Sequence, residues 1–149
     1  MTKILLSVHV LAAIIAIGPV TVAASMFPAT ARRALGPAGT DRDLAVLRSL
    51  YRICRVYATL GVVVPVFGLA TASSLGVLGD AWLIVSIALT AAAAAVLIAV
   101  VLPRQARLAA PEPDRHALVG LAMVTGTFNL LWAVVTVLMI VRPGSTTGV

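Results

Sequence analysis

Charged residues are scarce in this chain of 149 residues, and cysteine and aromatic residues are scarcer still. Asp, Glu, Lys and Arg together make up 11% of the sequence, Phe, Trp and Tyr make up 5%, and Cys54 is the single cysteine. A soluble domain usually has about a quarter charged residues, so a soluble catalytic domain is not expected. One cysteine excludes an intrachain disulfide, and no CxxC motif or Cys/His cluster indicates a zinc or iron–sulfur site.

Long apolar runs fill the chain instead. Hydrophobic residues make up 61% of the sequence, and the mean hydropathy is +1.10. Four segments are each long enough to cross the roughly 30 Å hydrocarbon core of a bilayer. We therefore predict one all-α domain, a polytopic transmembrane four-helix antiparallel bundle with a basic cytoplasmic loop after the first helix and a disordered tail. The predicted spans are 4–27, 57–78, 81–102 and 118–141, and the tail is 142–149.

The placement of the basic residues predicts the orientation of this bundle. The net charge is +6, and nine of the eleven Lys and Arg residues lie in the connections after the first and third spans. The positive-inside rule places those connections in the cytoplasm and both termini outside. The Ala, Val and Arg usage indicates a GC-rich bacterium, so we expect a multi-pass protein of the bacterial inner (plasma) membrane. We expect it to contact anionic lipid headgroups rather than nucleic acid. The headgroup contacts are assigned to Arg32, Arg33, Arg48, Arg52 and Arg55.

The first span also resembles a signal peptide. Lys3 precedes the apolar run, and the small residues Val22 and Ala24 stand before Ser25 as in a cleavage site. Cleavage would leave the six arginines of the following connection on the outer side of the membrane, against the positive-inside rule. An uncleaved first span is the favoured interpretation, and cleavage is the alternative.

Local signals predict where the helices begin and bend. The stretch GPAGT ends the first helix, and Thr40 followed by Asp43 predicts the N-cap of the next one. That helix carries arginines on one face and leads into the second span as a basic amphipathic segment. Pro19 and Pro65 lie inside spans and predict kinks, which serve either packing or the shaping of a path through the bundle.

His9 lies inside the first span, in the stretch ILLSVHVLAAIIAIGP, and is the only histidine within the predicted spans. A count of residues inward from the outer span ends puts serine and threonine residues of the other helices at its depth, which predicts a polar layer. Asn129, near the predicted bilayer centre, is expected to make an interhelical hydrogen bond. The residues assigned to this layer and to interhelical contacts are Ser73, Ser86, Asn129, Trp132 and Thr136.

Three interpretations of His9 stay open on the residues alone. The favoured one is a neutral packing histidine with one hydroxyl partner. The second is a cofactor-binding histidine that ligates haem or another metal, and the third is proton handling or substrate contact. Proton and ion transporters usually carry charged groups inside their spans, and the central parts of these spans have none. His116 lies at the opposite, cytoplasmic end.

The stretch LLSVHVLAAIIAIGP resembles the opening of a bacterial family of predicted integral-membrane proteins of unknown function, and LPRQARLA resembles that family's exit from the third span. A more distant resemblance is to the copper-resistance protein D group and to the HemJ-type protoporphyrinogen oxidases, which place a histidine in a similar first-span setting. In the HemJ type that histidine is implicated in haem b ligation, a role that the resemblance would assign to His9. Those proteins carry tryptophan-glycine where this chain has AIGP.

Three functions follow as expectations. The first is a non-enzymatic accessory, scaffold or self-associating bundle that needs no cofactor and forms a homo-oligomer or joins a larger membrane complex. The second is a membrane redox protein that binds haem b through His9. The third is a small-solute or metal permease whose path is shaped by Pro19 and Pro65. No catalytic residue and no metal site is assigned.

Overall fold

The computed structural model describes residues 2–144, which form helices joined by short connections. Four helical segments are long and apolar enough to cross a membrane, as predicted. Most of the predicted disordered tail, residues 145–149, lies outside the described residues. The helices are α1 Thr2–Ala34, α2 Asp41–Leu60, α3 Val63–Leu75, α4 Ala81–Val96, α5 Leu102–Leu108 and α6 Leu121–Val141, with a π-helical turn Leu97–Val101 after α4 and a 3-10 turn Arg115–Leu118 before α6.

The connection between α1 and α2 follows the sequence signals. α1 runs past the predicted end of the first span to Ala34. Thr40 and Asp43 form a capping box, in which the Asp43 amide donates to the Thr40 hydroxyl (3.2 Å) and the Thr40 amide donates to the Asp43 carboxylate (3.1 Å). These bonds satisfy two amides that the first turn of a helix otherwise leaves unpaired. The predicted start of the second helix is confirmed.

The two prolines inside the spans act differently. α1 continues without interruption through Pro19, so the kink predicted there does not break the helix. The second apolar segment does break, because α2 ends at Leu60 and α3 begins at Val63. Pro65 has no amide hydrogen to donate to the Gly61 carbonyl, and the Val64 amide bonds that carbonyl instead, at 3.1 Å.

The third apolar segment changes its winding before its own proline. The π-helical turn Leu97–Val101 comes directly before α5, whose first turn contains Pro103. A proline ring clashes with the carbonyl four residues earlier in a regular α-helix, and a π turn offers the backbone another arrangement. In α5 that follows, Gln105 and Leu108 have no exposed surface.

The main core extends from the middle of the helices, at Val20, Ala93 and Phe128, to one end of the molecule. We call this end the basic end: the connections 35–40 and 109–114 with the arginines beside them. Phe27 of α1, Leu47 of α2, Leu108 of α5 and Leu121 of α6 are all fully buried there and belong to one cluster. The two connections and the arginines that flank them therefore share one end of the molecule.

A smaller cluster closes the opposite end, which we call the turn end after the connection 76–80. Trp82 packs with Ala72 and Leu83, and half-buried Met139 of α6 lies against them. The indole nitrogen of Trp82 donates to the Asp80 carboxylate at 2.9 Å. These contacts hold the start of α4 beside the ends of α3 and α6.

Between the two ends, α1 packs against α2 and α3, and α4 packs against α6. α1 also touches α6 over a shorter stretch. Two lines of contact along α1 matter for function: the α1–α3 seam and the α1–α6 seam. α4 leaves one face uncovered by the rest of the chain.

Candidate functional site

At the α1–α3 seam, the imidazole of His9 is held by the backbone of the neighbouring helix. Its Nδ1 lies 2.9 Å from the carbonyl oxygen of Val64. A carbonyl only accepts, so this contact places the ring proton on Nδ1. The ring lies over Gly68, where an added Cβ would come within 2.9 Å of the ring carbon Cε1. A glycine on α3 therefore gives the imidazole its space.

The hydroxyls predicted to surround His9 bond within their own helices. Ser86 donates to the carbonyl of Trp82 at 2.8 Å, and Thr136 donates to the carbonyl of Trp132 at 2.9 Å. Ser73 is exposed. A helical Ser or Thr commonly bonds the carbonyl four residues back, and a count of depth along the spans does not include this competing acceptor. Gly68 is the residue in the sequence that could have indicated where the ring lies, because a glycine leaves space for a side chain of a neighbouring helix.

At the α1–α6 seam, the carboxamide of Asn129 donates to the Ser25 hydroxyl at 2.8 Å. This is an interhelical hydrogen bond between α1 and α6. On either side of Asn129 along α6, Phe128 and Trp132 make an edge-to-face contact with ring centroids 6.5 Å apart. Three buried polar atoms of the same stretch have no hydrogen-bond partner within the described residues: Thr125 Oγ1, Asn129 Oδ1 and Trp132 Nε1.

A cavity of about 230 Å³ opens beside this hydrogen bond, between α1 and α6. We call it the α1–α6 cavity. Thr125 is 2% exposed and forms part of the wall, whereas Gly126 has open space where a Cβ would lie. The cavity is lined by Ser25, Pro28, Ala29, Arg32, Ala122, Thr125, Gly126 and Asn129.

The uncovered side of α4 carries a row of alanines beside large exposed residues such as Ile84 and Ile87, and we call this row the alanine face of α4. Its alanines recur at steps of four, three and four residues, which puts them on one side of a helix. All of them are exposed. The spacing can be read from the sequence, but the five consecutive alanines at 91–95 place alanine on several sides of the helix. Only the packing shows which side is uncovered. The face comprises Ala88, Ala92 and Ala95 of α4 together with Ala99 of the π-helical turn that follows.

The basic amphipathic character predicted for α2 is confirmed. Leu47 and Cys54 are fully buried, whereas the arginines of the same helix point away from the core. All five arginines assigned to lipid headgroups are exposed: Arg32, Arg33, Arg48, Arg52 and Arg55.

The remaining titratable groups are dispersed. His116 is exposed in the 3-10 turn at the basic end, whereas His9 lies at the α1–α3 seam. Within residues 2–144, no group of three or more His, Cys, Asp or Glu side chains lies close enough to hold a metal ion. The side-chain oxygen and nitrogen of the buried Gln105 both lack a hydrogen-bond partner among the described residues. Neither the composition nor the motifs indicated this residue.

Comparison with known proteins gives no match: no family model, no curated protein and no solved structure is significantly similar to this chain. The resemblances carried by the first and third spans therefore stay predictions.

Proposed function

We propose that this chain is a non-enzymatic integral-membrane protein that associates with a second copy of itself, as a scaffold or accessory subunit. The observation that carries this proposal is the alanine face of α4. Helices that only face lipid gain nothing from a continuous stripe of small side chains. Helices that face another helix do, because small residues let the two backbones approach closely.

The alanine face has the dimensions of a helix contact. From Ala88 to Ala99 it extends about 16 Å along the axis, at 1.5 Å per residue. Two identical stripes can meet about a two-fold axis, and such isologous contacts are the commonest way for a protein to form a dimer. A second copy of the chain is therefore the partner that fits this face.

The proposal places the four helical segments as an antiparallel bundle in a bacterial inner membrane, with the basic end in the cytoplasm. The exposed arginines of that end and the lack of Lys and Arg at 76–80 support this orientation. Cys54 is buried and suits no labelling test. Ala38→Cys at the basic end should resist a membrane-impermeant maleimide in intact cells, and Gly79→Cys should react. The reverse pattern would overturn the orientation.

The association is measured by fluorescence energy transfer between two differently labelled pools of the protein in liposomes, diluted with lipid. Ala92→Leu inserts a large side chain into the alanine face, and we expect association to weaken about tenfold, or about 1.4 kcal/mol. Ala133→Leu makes the same change at an exposed position of α6 and should leave it unchanged. A wild-type protein that stays monomeric at high protein-to-lipid ratio would refute self-association.

One observation favours a second candidate, a membrane redox protein that binds haem b. The Nδ1 proton of His9 faces a backbone carbonyl, which leaves the lone pair on Nε2. Metal-ligating histidines are commonly held in this way by a hydrogen bond from the other ring nitrogen. The resemblance to HemJ-type proteins implies the same role for His9.

An absorbance spectrum separates this candidate from the first. Protein purified from haem-replete cells would show a Soret band, which His9→Ala would remove while His116→Ala, at the basic end, would retain it. Colourless wild-type protein, or a band that survives in His9→Ala, would exclude His9 as a haem ligand.

A further inference from the structure

The α1–α6 cavity is positively polarised from two sides. Arg32, the one charged residue among its described lining residues, supplies a positive charge on one side. The first turn of α6, which includes Ala122, borders it as well, and no side chain caps that end of α6. The free amides and the dipole of a helix favour negative charge at its N-terminus. None of the eight described lining residues carries a carboxylate, so nothing in the wall neutralises this field.

The cavity also presents hydroxyl groups that the protein leaves without an acceptor. Thr125 is 2% exposed, and its hydroxyl has no partner among the described residues. Ser25 accepts a hydrogen bond from Asn129, which leaves the Ser25 proton free to donate. A buried polar group without a partner is costly. An occupant with several acceptor oxygens would satisfy both hydroxyls.

We propose that the α1–α6 cavity binds a phosphate-bearing ligand, an anionic phospholipid, whose phosphate pairs with Arg32. Arg32 lies two residues before the end of α1 at the basic end, where a lipid phosphate is placed in a bilayer. Ser25 lies seven residues earlier, about 10 Å deeper at 1.5 Å per residue. At that depth the ester oxygens of a lipid meet the hydroxyls of Ser25 and Thr125.

A lipid fits the cavity better than a protein helix does. The cavity opens to the side, because Ser25, Ala29 and Gly126 are exposed. A neighbouring apolar helix would cover the unpaired Thr125 hydroxyl without satisfying it, and would bury the Arg32 charge. The proposal uses the membrane location proposed above, but it does not depend on association through α4.

Native mass spectrometry of the full-length protein tests the proposal after reconstitution in equal amounts of phosphatidylglycerol and phosphatidylcholine with the same acyl chains. The wild type should retain phosphatidylglycerol preferentially. Arg32→Gln should weaken retention about tenfold through the loss of a charge-assisted hydrogen bond, and the isosteric Thr125→Val about threefold. Arg107→Gln is the matched control, because it removes the same charge from an exposed arginine of the basic end that lies outside the cavity, and its retention should equal that of the wild type.

Circular dichroism checks that each variant keeps its helix content, and a third arm adds inorganic phosphate to the wild type. If phosphate does not displace the lipid, the lipid is the ligand of the cavity. Binding of free phosphate that depends on Arg32 would instead show that the ligand is a soluble phosphate compound. Equal loss in Arg32→Gln and Arg107→Gln would overturn the site in favour of diffuse charge attraction. A change of oligomeric state in the cavity variants, with lipid retention unchanged, would overturn it in favour of a helix partner.

Discussion

The two seams of α1 differ in how far their polar side chains find hydrogen-bond partners. At the α1–α3 seam, His9 bonds the Val64 carbonyl and its ring occupies the space that Gly68 leaves. At the α1–α6 seam, Asn129 makes one bond to Ser25 while neighbouring polar atoms stay unpaired beside a cavity. The comparison shows that residue type alone does not mark a functional position in an apolar helix. Such a position is indicated by whether the fold supplies a hydrogen-bond partner for the polar side chain.

The largest expected effect comes from filling the space under the imidazole. Gly68→Val places side-chain atoms where the His9 ring lies, so the ring must move and lose its bond to Val64. We expect the free energy of unfolding to fall by roughly 2 kcal/mol, measured by denaturant titration in mixed micelles. Gly126→Val, which adds the same side chain in open space, should change it by under about 0.5 kcal/mol. Equal effects would show that the α1–α3 seam is no tighter than the α1–α6 seam.

A smaller effect is expected from removing the imidazole itself. His9→Ala should lower the free energy of unfolding by about 1 kcal/mol, the net contribution of one hydrogen bond. Gly68→Ala should destabilise the wild type but have little effect in the His9→Ala background, because the ring that it displaces is gone. A double-mutant cycle measures this coupling, and additive effects would contradict the contact.

The smallest effect is expected at the α1–α6 seam. Asn129→Leu removes the bond to Ser25, but it also removes a buried Oδ1 that has no partner within residues 2–144. These contributions oppose each other, so the unfolding free energy should change by less than about 1 kcal/mol. A loss larger than that of His9→Ala in the same titration would reverse the comparison between the seams.

The sequence predicted the helices better than their contacts. Apolar length and the pairing of Thr40 with Asp43 indicated the helical segments and the start of α2, because these signals are local. The second helical segment is longer than the predicted span 57–78, because it begins at Asp41, where Thr40 and Asp43 predicted a helix start. Its basic first half is amphipathic, and a search for uniformly apolar runs excludes such a stretch.

Contacts between helices depend on rotation and relative height, which composition does not specify. The carbonyl partner of His9 could not be predicted, because every residue has a backbone carbonyl and the sequence does not distinguish one from another. Hydroxyl groups belong to particular residue types, so they were the partners that the sequence indicated. The sequence did not indicate the cavity beside Thr125 either, because the cavity is a space that α1 and α6 leave between them. Asn129 was predictable as an interhelical donor because a lone carboxamide among apolar residues needs a partner.

Disulfide crosslinking in native membranes tests self-association through α4 most directly. A two-fold contact brings each residue near the centre of the alanine face against its own copy, so Ala92→Cys should form a covalent dimer under mild oxidation. Ala133→Cys, on an exposed position of α6, should stay monomeric, and the wild type gives the background because its only cysteine, Cys54, is buried. No dimer from Ala92→Cys, or equal dimer from both variants, would contradict the association of two copies through α4.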